Sequence, residues 1–330
     1  MNILITGHAG FIGFHLSKAI LTSTSHKVIG IDNFNNYYDV SLKKKRSKIL
    51  KEICNKNNFI EFKLDVKSGK LETVFNKFKI HIVIHLAAQA GIRYTLSNPK
   101  SYIDSNIYAF FNLMENMSKF NVKKFIFASS SSVYGSNKKL PFNEEHKTDN
   151  PIQLYAVTKK TNELMANVYS SLFSIQTIGL RFFTVYGEYG RPDMAIYKFV
   201  KSIDNNKIIN VYGNGKLKRD FTYVDDVVFS ILKIVKLKKW KFNNPHNKYF
   251  DIFNIGGSSP VTINKLINLI ELNLNKKAKI NYIKQNPIDM DVTHASCKKL
   301  NLFININNIT KLNLGIKKFI EWYKNFYNSK

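Results

Sequence analysis

Cysteine is almost missing from this chain: two in 330 residues, Cys54 and Cys297. Two thiols so far apart supply neither a disulfide framework nor a metal-ligand spacing, so no metal is expected and a reducing compartment is. No apolar run approaches the roughly 20 residues that cross a bilayer. The first residues, Asn2–Thr6, read as a strand running straight into a glycine loop, with no signal peptide ahead of them. A cytoplasmic protein is expected. Acidic residues are also scarce, 23 against 50 Lys and Arg, for a formal net charge of +27. Read literally, that charge points to nucleic acid or an anionic membrane. The lysines and asparagines are scattered along the whole length, however, with no basic tail and no arginine-rich stretch. Drift of composition toward lysine explains this better, and neither partner is expected. The longest basic run, Lys43 to Arg46, reads as the solvated face of a helix. Arginine is the rare cation: Arg46, Arg93, Arg181, Arg191 and Arg219, leaving 50 − 5 = 45 lysines. Four of the five fall inside the motifs below, where a planar fork of donors matches carboxylate and phosphate as lysine cannot.

What is present alternates. The runs Asn2–Thr6, Lys27–Ile31, Phe59–Leu64, Ile82–Leu86 and Lys124–Ala128 are nearly continuous in apolar residues, as strands of a parallel sheet covered on both faces must be. Helical stretches near 11–22, 71–78, 99–118 and 152–172 separate them. This is a Rossmann-like, doubly wound α/β order. After about residue 180 the rhythm breaks into turns rich in Gly, Asn and Asp, with helices near 193–205 and 262–274, the latter with Thr262 as N-cap. The expected organisation is a dinucleotide-binding domain over 1–180, rejoined by part of 222–255, and a smaller α/β substrate-binding cap over most of 181–330. There is no internal repeat.

The segment Gly7-His-Ala-Gly10-Phe11-Ile12-Gly13 follows the first strand and opens the first helix. Glycines there permit a tight turn and let backbone approach a pyrophosphate seated on the helix N-terminus. Asp32 ends the second strand, where a ribose hydroxyl would be read, and an aspartate there repels the extra phosphate of NADP. NAD is therefore the expected cofactor. Asp65 and Val66, after the third strand, are placed at the adenine, and Ala87 and Gln89, after the fourth, along the cofactor cleft.

Tyr-x-x-x-Lys occurs four times, at Tyr134/Lys138, Tyr155/Lys159, Tyr197/Lys201 and Tyr212/Lys216, and in so lysine-rich a chain chance explains most of them. Only Tyr155 follows a serine-rich strand end and opens an apolar helix just after a proline, Pro151. On a helix this spacing puts both side chains on one face, a turn apart. An ammonium so placed favours phenolate. A base working near neutrality needs its phenol pKa lowered by about 3 units, or about 4 kcal/mol.

These features together resemble the extended short-chain dehydrogenase/reductase family of nucleotide-sugar enzymes. The resemblance rests on the glycine spacing, Leu86-Ala-Ala-Gln89, the serines 129–132 ahead of Val133-Tyr134-Gly135, and Tyr155-x-x-x-Lys159. It runs from residue 2 to about 325. Several stretches are similar to UDP-glucuronate 4-epimerases: Asp32 to Asp39, Ala90 to Tyr94, Arg181 to Gly187, Gly190 to Met194, and Lys218 to Asp226. The resemblance implies that Tyr155, as phenolate, takes the proton of the sugar 4-hydroxyl while the C4 hydride passes to NAD. Lys159 lowers the tyrosine pKa and binds the nicotinamide ribose, and Ser130 orients the hydroxyl. The 4-keto sugar turns over and the hydride returns to its other face, giving UDP-galacturonate, a precursor for surface polysaccharide.

Once C4 is a ketone, a C5 carboxylate makes the intermediate a β-keto acid, prone to lose carbon dioxide. That carboxylate must be held against cleavage, and Ser132, Thr184 and Arg191 are the candidates, with Arg93 and Ser131 beside them. By the same resemblance Arg219 serves the diphosphate and Asp289 the uridine ribose, although Ile288 and Ser296 depart from the usual pattern around it. Asn106, Arg181, His8 and His85 read as structural. A homodimer pairing helices 99–118 and 152–172 into a four-helix bundle is implied. The rival readings are a UDP-glucuronate decarboxylase and a UDP-glucose or UDP-N-acetylhexosamine 4-epimerase on the same scaffold. Outside enzymes, an NAD-sensing or nucleic-acid-binding Rossmann protein leaves Ser130, Tyr155 and Lys159 without a purpose.

Overall fold

The computed structural model describes residues 1–54, 57–285, 289–306 and 309–328, the side chains of Arg93 and Asn328 excepted. Strand β1 (Asn2–Thr6) is buried at four of its five positions and β2 (Lys27–Asp32) at five of six. β3 (Phe59–Lys63) fades to exposure, as an edge strand can, whereas β4 (Ile82–His85) is buried throughout. β5 (Lys124–Ser130) and β6 (Gln176–Phe182) follow. Then come β7 (Thr184–Tyr186), β8 (Ile208–Tyr212), β9 (Lys218–Arg219) and β10 (Phe221–Tyr223). β11 (Phe250–Ile255), β12 (Val261–Thr262) and β13 (Lys279–Ile283) complete the set.

One seven-stranded sheet runs in the order β11-β6-β5-β4-β1-β2-β3. Every pair from β3 through β5 is parallel. The order reverses between β1 and β4, and the carboxyl ends of strands at such a switch point are where open α/β sheets bind ligands. The crossovers are helical: α1 (Phe11–Ser23), α2 (Val40–Ile53), α3 (Leu71–Lys77), α4 (Pro99–Tyr102), α5 (Ala109–Lys119) and α6 (Leu154–Phe173). Later in the chain lie α7 (Ala195–Asp204), α8 (Val224–Lys236), α9 (Ile263–Leu274), α10 (Lys298–Ile304) and α11 (Leu312–Asn328). Thr262 caps α9 as expected, its hydroxyl accepting from Lys265 N at 3.2 Å. No described helix is long and apolar enough to cross a membrane.

The chain forms two compact units. The first comprises 1–135, 147–181 and 228–253, and the second 136–146, 182–227 and 254–330. Leu4, Ile31, Val83, Phe110, Phe125 and Phe127 lie in the core of the first. The second has its own core, including Ile196, Val200, Leu266, Ile270, Ile316 and Phe319, beside the two-stranded ladders β7–β10, β8–β13 and β9–β12.

Two expectations need correction. The helix over 99–118 is not uniform: α4 passes into a π-type stretch, Ile103–Tyr108, before α5 begins. An extra residue per turn there turns Asn106 into the interior. The run Lys43–Arg46 is not a solvated face either. Lys44 and Lys45 are exposed, but Lys43 and Arg46 are buried with Leu42 and Leu50 on the inner face of α2. Lys43 Nζ donates to Asn35 O at 2.9 Å, and Arg46 Nη1 to Ala9 O at 2.9 Å and to the Tyr38 hydroxyl at 2.7 Å. Polar backbone and hydroxyl acceptors inside the unit make burial of these cations tolerable, and composition alone gives no sign of them.

Candidate active site

The glycine loop is as tight as backbone allows. Gly7 has φ +77°, and a Cβ there would lie 2.7 Å from Ala87 N. A Cβ on Gly13 would lie 2.0 Å from Gly7 O, so the first turn of α1 can sit against the loop only without a side chain. Gly10 is the N-cap and offers no capping side chain, and no acidic residue occupies the first turn. Phe11, Ile12 and Gly13 therefore stand at a helix start whose amide donors are left for an anion.

At the end of β2, Asp32 is buried and its Oδ1 accepts from Phe34 N at 2.8 Å. Asp65 binds Asn33 Nδ2 at 3.0 Å through Oδ2 and Lys67 N at 3.0 Å through Oδ1, tying the ends of β2 and β3 together. Val66 packs into the core of the first unit. Ala87 N donates to Thr6 Oγ1 at 3.3 Å. Gln89 is clamped by Asn106, which accepts from its N at 2.8 Å and donates to its O at 3.0 Å. Asn106 also donates to Thr158 Oγ1 at 3.0 Å, and its carbonyl accepts from Asn162 Nδ2 at 2.6 Å. Its role is structural, as expected: it fixes the β4 loop against α6.

That helix carries Tyr155 and Lys159. Gly135, with φ +55°, closes the 3₁₀ turn Ser131–Tyr134, and a Cβ on it would lie 1.9 Å from Asn150 O. This close approach holds the turn after β5 against the segment that leads into α6. The hydroxyls of Ser130 and Ser132 are 2.7 Å apart, and Ser130 Oγ accepts from Ser132 N at 3.2 Å. Tyr155 is half-buried, its ring edge-on to Tyr102 with centroids 6.2 Å apart. Lys159 is 2 % exposed, and its Nζ donates to Ala128 O at 2.8 Å. Burial pushes its pKa down to about 8, against the Glu163 carboxylate, which holds it up. Below that pH the lysine presents the cation that a tyrosine base requires.

Both histidines in question are structural. His8 Nε2 lies 2.8 Å from Glu61 Oε1. His85 Nδ1 lies 2.7 Å from Thr6 Oγ1, and burial, then the charge on Lys159, pushes its pKa down to about 3, so it stays neutral.

The other candidates separate by unit. Ser131 and Ser132 belong to the first; Thr184, Arg191, Arg219 and Asp289 belong to the second. Thr184 N donates to Asp220 O at 3.1 Å. Arg191 forms a two-pronged ion pair with Asp193, Nε–Oδ1 3.0 Å and Nη2–Oδ2 2.5 Å. Arg219 Nη1 donates to Lys218 O at 2.9 Å, and Asp289 O accepts from Gln285 Nε2 at 3.3 Å. The side chain of Arg93 and residues 286–288, Ile288 among them, lie outside the described residues.

The sequence profile of the NAD dependent epimerase/dehydratase family matches residues 3–256. The chain belongs to that family. Among this epimerase/dehydratase's relatives is Protein CapI of Staphylococcus aureus, 45 % identical over 99 % of both chains. The probable UDP-glucuronate 4-epimerase of Rhizobium meliloti is 38 % identical over 99 % of this chain and 98 % of its own. Among solved structures, the UDP-glucuronic acid 4-epimerase from Bacillus cereus in complex with UDP-glucuronic acid and NAD superposes with a TM-score of 0.91. It is 32 % identical and covers 99 % of this chain and 100 % of its own. NAD is the cofactor of the family, and the residues fit it: a cradle that any Cβ would fill, an uncapped helix start, and a buried carboxylate at the end of β2.

Sequence reasoning overlooked Arg46, which holds the glycine loop from below, and Glu163, which stands a turn beyond Lys159. Arg46 was detectable as the lone arginine in a lysine run, at apolar spacing from Leu42 and Leu50. Glu163 recurs four residues after Lys159, as Lys159 does after Tyr155.

Proposed function

We propose that this isomerase interconverts UDP-glucuronate and UDP-galacturonate by NAD-dependent inversion at C4. The observation that carries the reading is the ammonium of Lys159, locked on Ala128 O at the carboxyl end of β5 and one helical turn from Tyr155. NAD, held by the Gly7–Gly13 loop and Asp32, would supply the acceptor and donor for the hydride of the sugar carbon. Tyr155 accepts the proton of the 4-hydroxyl and gives it back after the ketone has turned over. Ser130 hydrogen-bonds that hydroxyl, with Ser132 at 2.7 Å orienting Ser130 in turn. Lys159 supplies the charge that keeps Tyr155 ionised and contacts the nicotinamide ribose.

Relatives named for UDP-glucuronate across nearly the full chain support the acidic sugar as substrate. In this reading Ser131, Ser132, Thr184 and Arg191, with Arg93, hold its carboxylate. Arg219 takes the diphosphate, Asp289 the uridine ribose, and Asp65 with Val66 the adenine. A second reading has one observation in its favour: Arg191 is already matched by Asp193, as suits a neutral sugar. A homodimer and a place in the cytoplasm belong to the same proposal.

The test is incubation with UDP-glucuronate, without added NAD, followed by NMR of the anomeric protons. UDP-galacturonate and UDP-glucuronate should approach equilibrium from either side. Release of carbon dioxide with a pentose product would assign a decarboxylase. Turnover of UDP-glucose alone would overturn the carboxylate argument.

A further inference from the structure

Behind Lys159 lies a buried charge network that the proton transfer described above does not use. Glu163 sits one turn further along α6, on the same face. Its Oε1 accepts from the Ser129 hydroxyl at 2.6 Å and from Arg181 Nε at 2.9 Å, and its Oε2 from Arg181 Nη2 at 2.9 Å. Both side chains of the ion pair are 3 % exposed. The guanidinium lies 4.8 Å from the ring centre of Tyr134, in the turn that follows Ser130. Ser129 adjoins Ser130 on β5, Arg181 stands on the neighbouring strand β6, and Glu163 shares its helix with Tyr155 and Lys159. One carboxylate therefore binds together the elements that carry the reacting hydroxyls and the ammonium.

A buried ion pair adds little net stability, because desolvation offsets attraction. A fully hydrogen-bonded one a turn from a working ammonium has a further use. We propose that Glu163 is a positioning residue for the proton transfer: its carboxylate, partly neutralised by Arg181, offsets the positive field that the Lys159 ammonium presents to Tyr155 and so sets the ionisation of Tyr155. This rests on the reading of Tyr155 as the base.

The charges act in opposite senses. Burial strips the proton from Lys159 and the Glu163 carboxylate holds it on. Burial acts the same way on Arg181, but Glu163 and then Tyr134 outweigh it and keep the guanidinium charged. By occupying the carboxylate, Arg181 leaves Lys159 Nζ to Ala128 O instead of drawing it into a salt bridge with Glu163. Among the described residues, the titratable groups facing the site include His85 from β4, held neutral, Tyr102 from α4, edge-on to Tyr155, and Tyr134, under the Arg181 guanidinium.

The test reads the ultraviolet phenolate band of Tyr155, as the difference between each protein and its Tyr155→Phe counterpart over a pH series. Glu163→Gln leaves Arg181 uncompensated, so the Tyr155 midpoint should fall by about one unit, a tenfold change in equilibrium. Arg181→Gln bares the carboxylate, and the midpoint should rise. Midpoints that match the parent, or that move the same way in both variants, would overturn the proposal, since loss of packing has no reason to give opposite signs. Should the single variants not fold, the double variant Glu163→Gln with Arg181→Gln removes both charges. Its midpoint should fall by less than one unit, because Glu163 shares the helix of Tyr155 and Lys159 whereas Arg181 stands on β6, and coincidence with the parent overturns the proposal. A parent with no Tyr155 phenolate below the ordinary tyrosine range sinks the base reading itself, and this inference with it. A parent band that stays put in the variants sinks the inference alone.

Discussion

A lysine cut off from water holds its proton only as far as its neighbours allow. Lys159 is such a residue, lowered by burial from 10.5 to about 8 with Glu163 opposing. Between those two pH values the unfolded chain carries a proton that the folded chain has shed, so stability rises with pH across that window. Below it the ammonium is charged in both states, and the full cost of burying it is present. Lys159→Met removes the titration. Relative to the parent, the variant should therefore be most favoured at about pH 7 and lose that advantage toward about pH 10, read as urea midpoints at the two pH values. An advantage constant with pH would remove the buried, charged lysine from the account. Turnover by the variant should fall roughly 10²- to 10⁴-fold, the usual worth of a positioned acid–base group. At this scale the sequence was most readable where spacing and context agreed, as in the placing of Tyr155 and Lys159 a turn apart on one helix. It was silent where a partner is set by folding. Nothing in Gly190-Arg191-Pro-Asp193 announces that the arginine turns back on the aspartate two residues later.

Elements were legible where one face or both had to be apolar. β1, β2, β4 and β5 are nearly continuous apolar runs, and the glycines after β1 fix the one turn that joins them to α1. The rule fails for α2, where buried cations replace apolar residues. Arg46 reaches Ala9 O in the glycine loop, the Tyr38 hydroxyl, and the Tyr38 ring at 5.6 Å. Lys43 fastens the same 33–39 loop through Asn35 Oδ1 at 2.7 Å. A helical cation thus holds a carbonyl of the glycine loop expected to seat the pyrophosphate. Arg46→Met keeps the apolar stem and loses the donors. Removing a charge-assisted hydrogen bond costs roughly 1.5–3 kcal/mol, so the dissociation constant for NAD should rise about 10- to 100-fold, measured by calorimetry on protein stripped of nucleotide. Retention of NAD at the parent's strength would reduce Arg46 to packing. The π-type stretch at Ile103–Tyr108 was hidden for a related reason: Asn106 gains its four partners from Gln89, Thr158 and Asn162, all distant in sequence, and helical periodicity cannot anticipate them.

For the whole molecule, charge and apolar surface give different messages. The excess of lysine is spread along the sequence. Some of the exposed apolar side chains share two neighbouring helices. Val157, Leu164, Val168 and Leu172 on α6 are 40–70 % exposed, and Tyr108, which ends the π-type stretch, and Phe111 on α5 are 56 % and 43 % exposed. Leu164, Val168 and Leu172 recur every four residues and so line one side of the helix. α5 and α6 pack together within the first unit, which makes the stripe a surface of that unit alone. An apolar face of two adjacent helices is the raw material of a four-helix bundle formed with a second copy. A stable pair needs about 800 Å² from each partner, and two helices of this length can supply it. Leu164→Glu combined with Val168→Glu places two carboxylates on the stripe, a full turn apart and far from Lys159 Nζ on the inner face. The mass measured by light scattering should fall from that of a dimer to that of a monomer, while circular dichroism stays unchanged. A parent that is already monomeric at micromolar concentration would end the dimer proposal, and a double variant that still pairs would move the interface off α6.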